Sequence, residues 1–242
     1  MAAAKRRWLR WLAIAALASL VLGAAAFVAV NESRPVGTPG PKADALARRI
    51  EGSVDVGAWE RTGAVRFVFG GRNTHLWDRL RRLHRVQWDD IEVLRSFDTG
   101  RGRAFEGGKE VKGPRLDELL DSAYARWAND AFWLNPLAKL FDDGVSRGLV
   151  ELGGGHTALL VSYSSGGVTP GDAYLWVLGD DGMPAYWKMW VSIIPIGGVK
   201  STWQRWVTLP TGARVSTLHR MMGTTLEVSP VEAAATLSLI HI

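Results

Sequence analysis

Five histidines and 24 carboxylate side chains are the groups in this chain that could move protons or hold a metal. Either task needs several of them to converge, so spacing decides which combinations count. His75 and Asp78 lie close together in "THLWD". On a strand, residues three apart point to opposite faces, which separates the imidazole from the carboxylate. Asp89 and Asp90 are adjacent, and the same alternation parts them. His156 follows Gly153-Gly154-Gly155, a run like a glycine-rich oxyanion loop. No G-x-S-x-G elbow accompanies it to supply a nucleophile, and a triglycine between strands reads as a turn. Neither an HExxH helix nor a phosphate-binding loop of the Walker type is present, and the histidines show no metal-ligand spacing. Asp180-Asp181-Gly182 fits a tight hairpin better than a calcium loop. The expectation is therefore no catalytic residue, no metal and no cofactor. A hydrolase triad assembled from distant residues is the least favoured alternative.

Net charge is +5 and the pI is near 9.7. A nucleic-acid binder should carry that charge as a basic footprint on its folded part. Here Lys5, Arg6, Arg7 and Arg10 precede the domain, and the other 25 basic residues face 24 acidic ones. Nucleic acid is excluded as the expected partner. The basic cluster instead flanks "WLAIAALASLVLGAAAFVAV", residues 11–30, which carries no charge. A run of that length crosses a bilayer core of about 30 Å as a helix. Positive charge on its N-terminal side keeps that end in the cytoplasm and sends the rest outside. A cleaved signal peptide is the alternative, with Ala24-x-Ala26 as its cleavage pattern. Either way, residues 43–242 form an extracytoplasmic domain, expected in the periplasm of a bacterial envelope and tethered to the inner membrane if the leader stays. There is no cysteine, so neither a disulfide nor a lipid-modified thiol is available.

Residues 31–42, "NESRPVGTPGPK", hold three prolines and two glycines and read as a semi-extended spacer. Ala43, Leu46, Ile50 and Val54 then recur at helical spacing. Alternation in "GAVRFVFGG" puts Val65, Phe67 and Phe69 on one strand face. Further strands follow in "NTHLWDRL", "LHRVQWDD" and "IEVLRSFDTGRGRAFEGG". The turn between the first two, with Arg79, Arg81, Arg82 and Arg85 in or beside it, is either solvated or close to anionic headgroups. One long helix spans "PRLDELLDSAYARWANDAF", with Leu116, Leu119, Leu120, Ala123, Trp127 and Ala131 on one face. Asn135-Pro136 ends or kinks it. The apolar "AFWLNPLAKLFDDG" carries the chain on as a lid, and six or so strands complete it.

Consecutive strands joined by short turns imply an antiparallel sheet, and two helical segments cannot cover both of its faces. The fold class is mainly β (α+β): a strongly curved antiparallel sheet forming an unclosed half-barrel, helices on its concave face, and one transmembrane helix before it. This order of helix, strands, helical lid and strands resembles the LolA/LolB-like lipoprotein carriers. "FWLNPLAKLFDDG", "YLWVLGDDGMPAYWKMW" and "TWQRWVTLPTGARVSTLHRM" are similar to motifs of uncharacterised exported bacterial proteins of that type. The resemblance implies an unclosed barrel that receives acyl chains beneath a lid. The carrier analogy stops short of lipoprotein shuttling, since the chain has an anchor-like helix and no acylated cysteine.

Ten of the twelve tryptophans fall in the domain. Each brings a large apolar ring and one N–H that needs a partner. They either line a cavity or fill a core, and composition leaves both open. Trp187 and Met189 should point inward together in "AYWKMWV", whereas the register of "TWQRWVT" is ambiguous, with Arg205 either inward or in solvent. The expected ligand-binding residues are Trp133, Leu134, Leu137, Leu140 and Phe141 of the lid, with Phe67, Phe69, Trp187, Met189 and Trp203 of the sheet. The expected partner is a lipid or other hydrophobic small molecule, with the membrane reached through the leader. The alternative is a structural or protein-interaction module with a filled core.

Overall fold

The computed structural model describes residues 2–165 and 169–239, apart from the side chains of residues 2–10, 13–15, 24, 26 and 239. The basic flank and the Ala24-x-Ala26 pattern lie outside the described side chains, and the last three residues of the expected domain outside the described chain. Residues Ala2–Val30 form one 29-residue helix, α1. Its described large side chains are exposed: Leu20 is 69% exposed and Val28 73%. Among the described residues no helix is long and apolar enough to cross a membrane.

Helices α2 (Pro41–Ser53) and α3 (Val56–Glu60) open the domain. Six strands follow: β1 (Ala64–Phe69), β2 (Asn73–Asp78), β3 (Leu83–Trp88), β4 (Ile91–Ser96), β5 (Gly102–Glu106) and β6 (Lys109–Val111). Helix α4 (Pro114–Leu134) and a 3-10 turn at Pro136–Lys139 interrupt the sheet. The second set is β7 (Val145–Gly153), β8 (His156–Tyr163), β9 (Ala173–Leu178), β10 (Pro184–Trp190), β11 (Val199–Thr202), β12 (Gln204–Thr208), β13 (Arg214–Met221) and β14 (Thr224–Ala234). All fourteen strands belong to one sheet, ordered β6-β5-β4-β3-β2-β1-β14-β13-β11-β10-β9-β8-β7, with β12 also on β13. Its pairings are antiparallel, and its two end strands do not meet. The sheet is unclosed.

Two features join the halves. The long strand β14 lends Thr224–Glu227 to β13 and the segment from Val228 to Ala234 to β1. Strands β11 and β12 are one line of chain broken at Trp203, whose N–H donates to Ala185 O at 2.8 Å. The break settles the ambiguous register. Arg205 has φ 52°, off the strand geometry that would place it beside Trp203. Trp203 is buried while Arg205 is exposed and pairs with Glu227 at 3.0 Å.

The helices pack on one face of the sheet. Ala43, Leu46, Ala47 and Ile50 of α2 bury against Leu159, Val161, Trp176 and Trp187. Leu119, Leu120 and Ala123 of α4 bury against Val86, Val93 and Ala104. The expected stripe of α4 is therefore partly right: Leu116, Trp127 and Ala131 are only half-buried, and Asp130 is buried in their place.

The spacer is not free. Glu32 Oε1 accepts from Lys188 Nζ at 2.7 Å, Trp190 Nε1 donates to Glu32 O at 2.7 Å, and an Arg34 guanidinium N–H donates to Ser162 Oγ. Thr38 and Leu149 exchange both backbone hydrogen bonds at 2.8 Å. The segment is thus a strap across the sheet face opposite Trp187 and Met189, and it ends by capping the free edge of β7. Composition marks proline and glycine as poor for helix and sheet, yet says nothing about docking as a single extended line.

Candidate functional site

The ten expected binding residues converge, in two adjoining clusters. Leu137, Leu140, Trp187, Met189 and Trp203 fall in one, with Phe141 packed against it. Phe67 and Leu134 fall in the other, with Phe69 packed against it. Trp133 touches both. The lid follows from local rules. Asn135, in an extended conformation before Pro136, closes α4 by donating its N–H to Ala131 O at 3.2 Å. Leu137 and Leu140 then turn inward, 1% and 0% exposed. The guanidinium groups of Arg48 and Arg147 lie over the Phe141 ring, 3.5 and 4.1 Å from its centre. Arg147 also donates to Leu140 O at 2.7 Å. These contacts hold Leu140 and Phe141 against α2 and β7.

Beneath it the space is taken by rings. Trp187 sits 4.9 Å from each of Trp133, Trp176 and Trp203, and Trp203 sits 4.4 Å from His219. Four polar atoms here are buried without a hydrogen-bond partner: Trp187 Nε1, Trp203 Nε1, Ser201 Oγ and His219 Nε2. Burial pushes the His219 imidazole down to about 4, against the lesser opposing effect of Thr202 O, its backbone hydrogen-bond partner. Burial likewise drives the Tyr163 phenol well above its usual range.

Open space lies between α4 and the end of β2. A cleft of about 410 Å³ is walled by Trp77, Phe97, Tyr124 and Trp127, with Arg79, Arg82, Leu80, Thr62 and Glu60 completing it. Trp127 is the hub, 5.1 Å edge-on from Trp77 and 4.3 Å from Phe97. Arg79 donates to Thr62 O at 2.6 Å and to Trp59 O, and its guanidinium covers the Trp59 ring at 4.7 Å. Among the described residues it makes no ion pair, and burial lowers its pKa against the weaker pull of Glu60. Its neighbours in the expected basic turn are neutralised: Arg81 by Asp78, Arg82 by Asp98, Arg85 by Glu92.

Behind the cleft wall runs a buried polar chain. Asp130 accepts from Asn73 Nδ2 at 2.7 Å, from Asn129 Nδ2 at 2.8 Å and from His75 Nε2 at 2.8 Å. His75 Nδ1 lies 2.9 Å from His84 Nε2. With Asp130 ionised, His75 carries its proton on Nε2 and receives the Nε2–H of His84, which leaves His84 Nδ1 as the unpartnered acceptor. Burial, then His75, then Arg95 hold the His84 imidazole well below its usual value. His75 is wholly buried and stacks on Phe67 at 4.6 Å. Both of its nitrogens are engaged within the protein, one by His84 and one by Asp130. As alternation requires, Asp78 turns away from His75, accepting from Arg81 N at 3.0 Å. Asp89 is exposed in the turn between β3 and β4, and His156 is exposed at the start of β8. Among the described residues no group of three or more histidines and carboxylates could hold a metal.

Spacing alone singled out neither Asp130 nor the cleft. A signal for Asp130 existed, since it falls at helical spacing between Ala123 and Leu134, both on the buried face. The cleft had none, because Tyr124, Trp77 and Phe97 meet only through the pairing of β2, β3 and β4 beneath α4.

No family model matches the chain, and no curated relative matches it. Among solved structures it is similar to the crystal structure of a DUF1329 family protein from Desulfovibrio piger, at 12% identity and a TM-score of 0.37, over 76% of this chain and 93% of that one.

Proposed function

We propose that this chain is a membrane-tethered, extracytoplasmic binding domain for a hydrophobic, lipid-like molecule with an anionic end. One observation carries the reading: a 410 Å³ cleft walled by four aromatic rings has in its rim an arginine, Arg79, that shares the rim with Glu60 but makes no ion pair among the described residues. Its volume lies within the usual range of roughly 300–1,000 Å³ for small-molecule sites. Rings supply apolar burial at roughly 25 cal/mol per Å², and a half-buried guanidinium favours a carboxylate or phosphate. The ligand thus sits beside the lid, on Trp77, Phe97 and Trp127, and the lid residues Trp133, Leu137, Leu140 and Phe141 serve as the core that holds the wall in place. The unclosed sheet with helices on one face supports the likeness to lipoprotein carriers. The anchor in the inner membrane of a bacterial envelope rests on the uncharged run of residues 11–30 in the sequence, five of whose side chains lie outside those described. The reading is of a binder rather than an enzyme, since His75, the one histidine with a carboxylate in reach among the described residues, has both nitrogens engaged.

The rings filling the space under the lid favour a second reading, a structural module. Recruitment of a partner strand is not supported by the sheet edges. Strand β6 is three residues long with Lys109 and Glu110, and Thr38 caps β7.

Native mass spectrometry of the full chain, released from detergent in the gas phase, tests the proposal. An anionic amphiphile retained by the unaltered chain and lost from Arg79→Gln, but kept by Trp206→Phe, is the expected result. No adduct, or one indifferent to Arg79, sends the assignment to the structural module.

A further inference from the structure

The loop between β10 and β11, Val191–Gly198, reads VSIIPIGG and contains no charged residue. Ile193 is 72% exposed, and Ile194 and Ile196 are half-exposed beside it. Such a cluster of branched apolar side chains at a loop tip calls for a partner. The loop is also held rigid. Ser192 N donates to Asp172 Oδ1 at 3.0 Å, Ile194 N to Val191 O at 3.1 Å, and Gly198 N to Met189 O at 3.0 Å.

What lies next to it identifies the partner. Helix α1 ends at Val30, and the two residues after it are fastened to this loop. Asn31 Oδ1 accepts from Gly197 N at 2.7 Å, and Glu32 N donates to Gly197 O at 3.0 Å. The close approach requires glycine: a Cβ at Gly197 would stand 2.6 Å from Glu32 O and 2.5 Å from the Trp190 ring. Trp190, whose Nε1 donates to Glu32 O, lines with Ile194 and Ile196 a shallow groove beside Asn31. An indole with its N–H tied down and its ring among aliphatic groups is the kind of residue that sits at a membrane interface.

We infer that the Val191–Gly198 loop is a membrane-contacting surface, with Ile193 inserted at the acyl boundary of the bilayer from which α1 emerges. The inference rests on the anchor in the proposed function and goes beyond it: the domain lies against the lipid surface in a fixed attitude instead of hanging from a loose tether. The partner is the bilayer itself, because the loop is pinned at the point where the uncharged run of residues 11–30 ends and has no charge of its own to match a polar partner.

The chain has no cysteine, so single cysteines report cleanly. Full-length Ile193→Cys, Leu17→Cys and Lys109→Cys would each carry an environment-sensitive fluorophore in phosphatidylcholine–phosphatidylglycerol vesicles containing nitroxide-labelled lipid. The expected result is quenching of about twofold or more at positions 193 and 17 and little at 109. Quenching at 17 with position 193 indistinguishable from 109 overturns the inference and leaves the anchor standing. Quenching at 193 without 17 supports a lipid-contacting loop and overturns the anchor. Quenching at neither overturns both.

Discussion

His75 Nε2 and Asp130 Oδ2 are 2.8 Å apart in a setting that admits almost no water, the imidazole 0% and the carboxylate 2% exposed at residue level. The contact ties α4 to the centre of β2 and thereby fixes the wall of the cleft. A buried carboxylate is tolerated when donors meet its lone pairs, and here Asn73, Asn129 and His75 do so.

Removing either partner leaves the other uncompensated. Asp130→Ala should lower stability by about 3 kcal/mol, the scale found when one side of a buried pair is deleted. His75→Ala should lose a comparable amount, and the double variant should lose clearly less than the sum of the two. Urea unfolding of the four proteins checks this; additive losses would mean that the pair is not energetically coupled.

His219 makes stability depend on acid in a defined window. Its imidazole titrates near 6.5 when unfolded and at about 4 when folded. Between those values the unfolded chain binds more protons, so stability falls as pH drops from about 6.5 and stops falling below about 4. The scale is about 3 kcal/mol, since every tenfold weakening of proton binding corresponds to roughly 1.4 kcal/mol. His84 is perturbed in the same direction and adds to the loss. Exchanging His219 for Gln should flatten the melting temperature between pH 7 and pH 4.5 relative to the unaltered protein. Parallel pH profiles for the two proteins would contradict this.

How much of the fold and the cleft is legible in the sequence follows the range of each signal. Hairpins marked by Asp180-Asp181-Gly182, the long helix closed at Asn135-Pro136, and the inward turn of Trp187 and Met189 are all written within a few residues, and the structure has them. The contacts that shape the cleft are not local. His75 and His84 share a site because β2 and β3 pair at one register, and Asp130 reaches them from a helix 55 residues beyond His75. Alternation also misreads a strand that breaks: the positive φ at Arg205 lets Trp203 face inward and Arg205 outward. The strap is the least legible element, because its fit depends on glycines far apart in the chain.

Gly37 and Gly148 supply that fit. A Cβ at Gly37 would stand 2.9 Å from Gly148 Cα and 3.0 Å from Gly148 C, all main-chain atoms that cannot swing aside. Gly37→Ala should therefore lift the strap from the edge of β7 while leaving the core on the opposite face intact. The loss falls on the amides of Thr38 and Leu149, which donate to each other's carbonyls at 2.8 Å. Hydrogen exchange at those two amides should speed up by about tenfold or more, as for a segment that now opens locally. Amides of β13 should keep their protection. Unchanged exchange at Thr38 and Leu149 would show that the strap is held by its other contacts, Glu32 with Lys188 and Arg34 with Ser162, and that the glycine pair is dispensable.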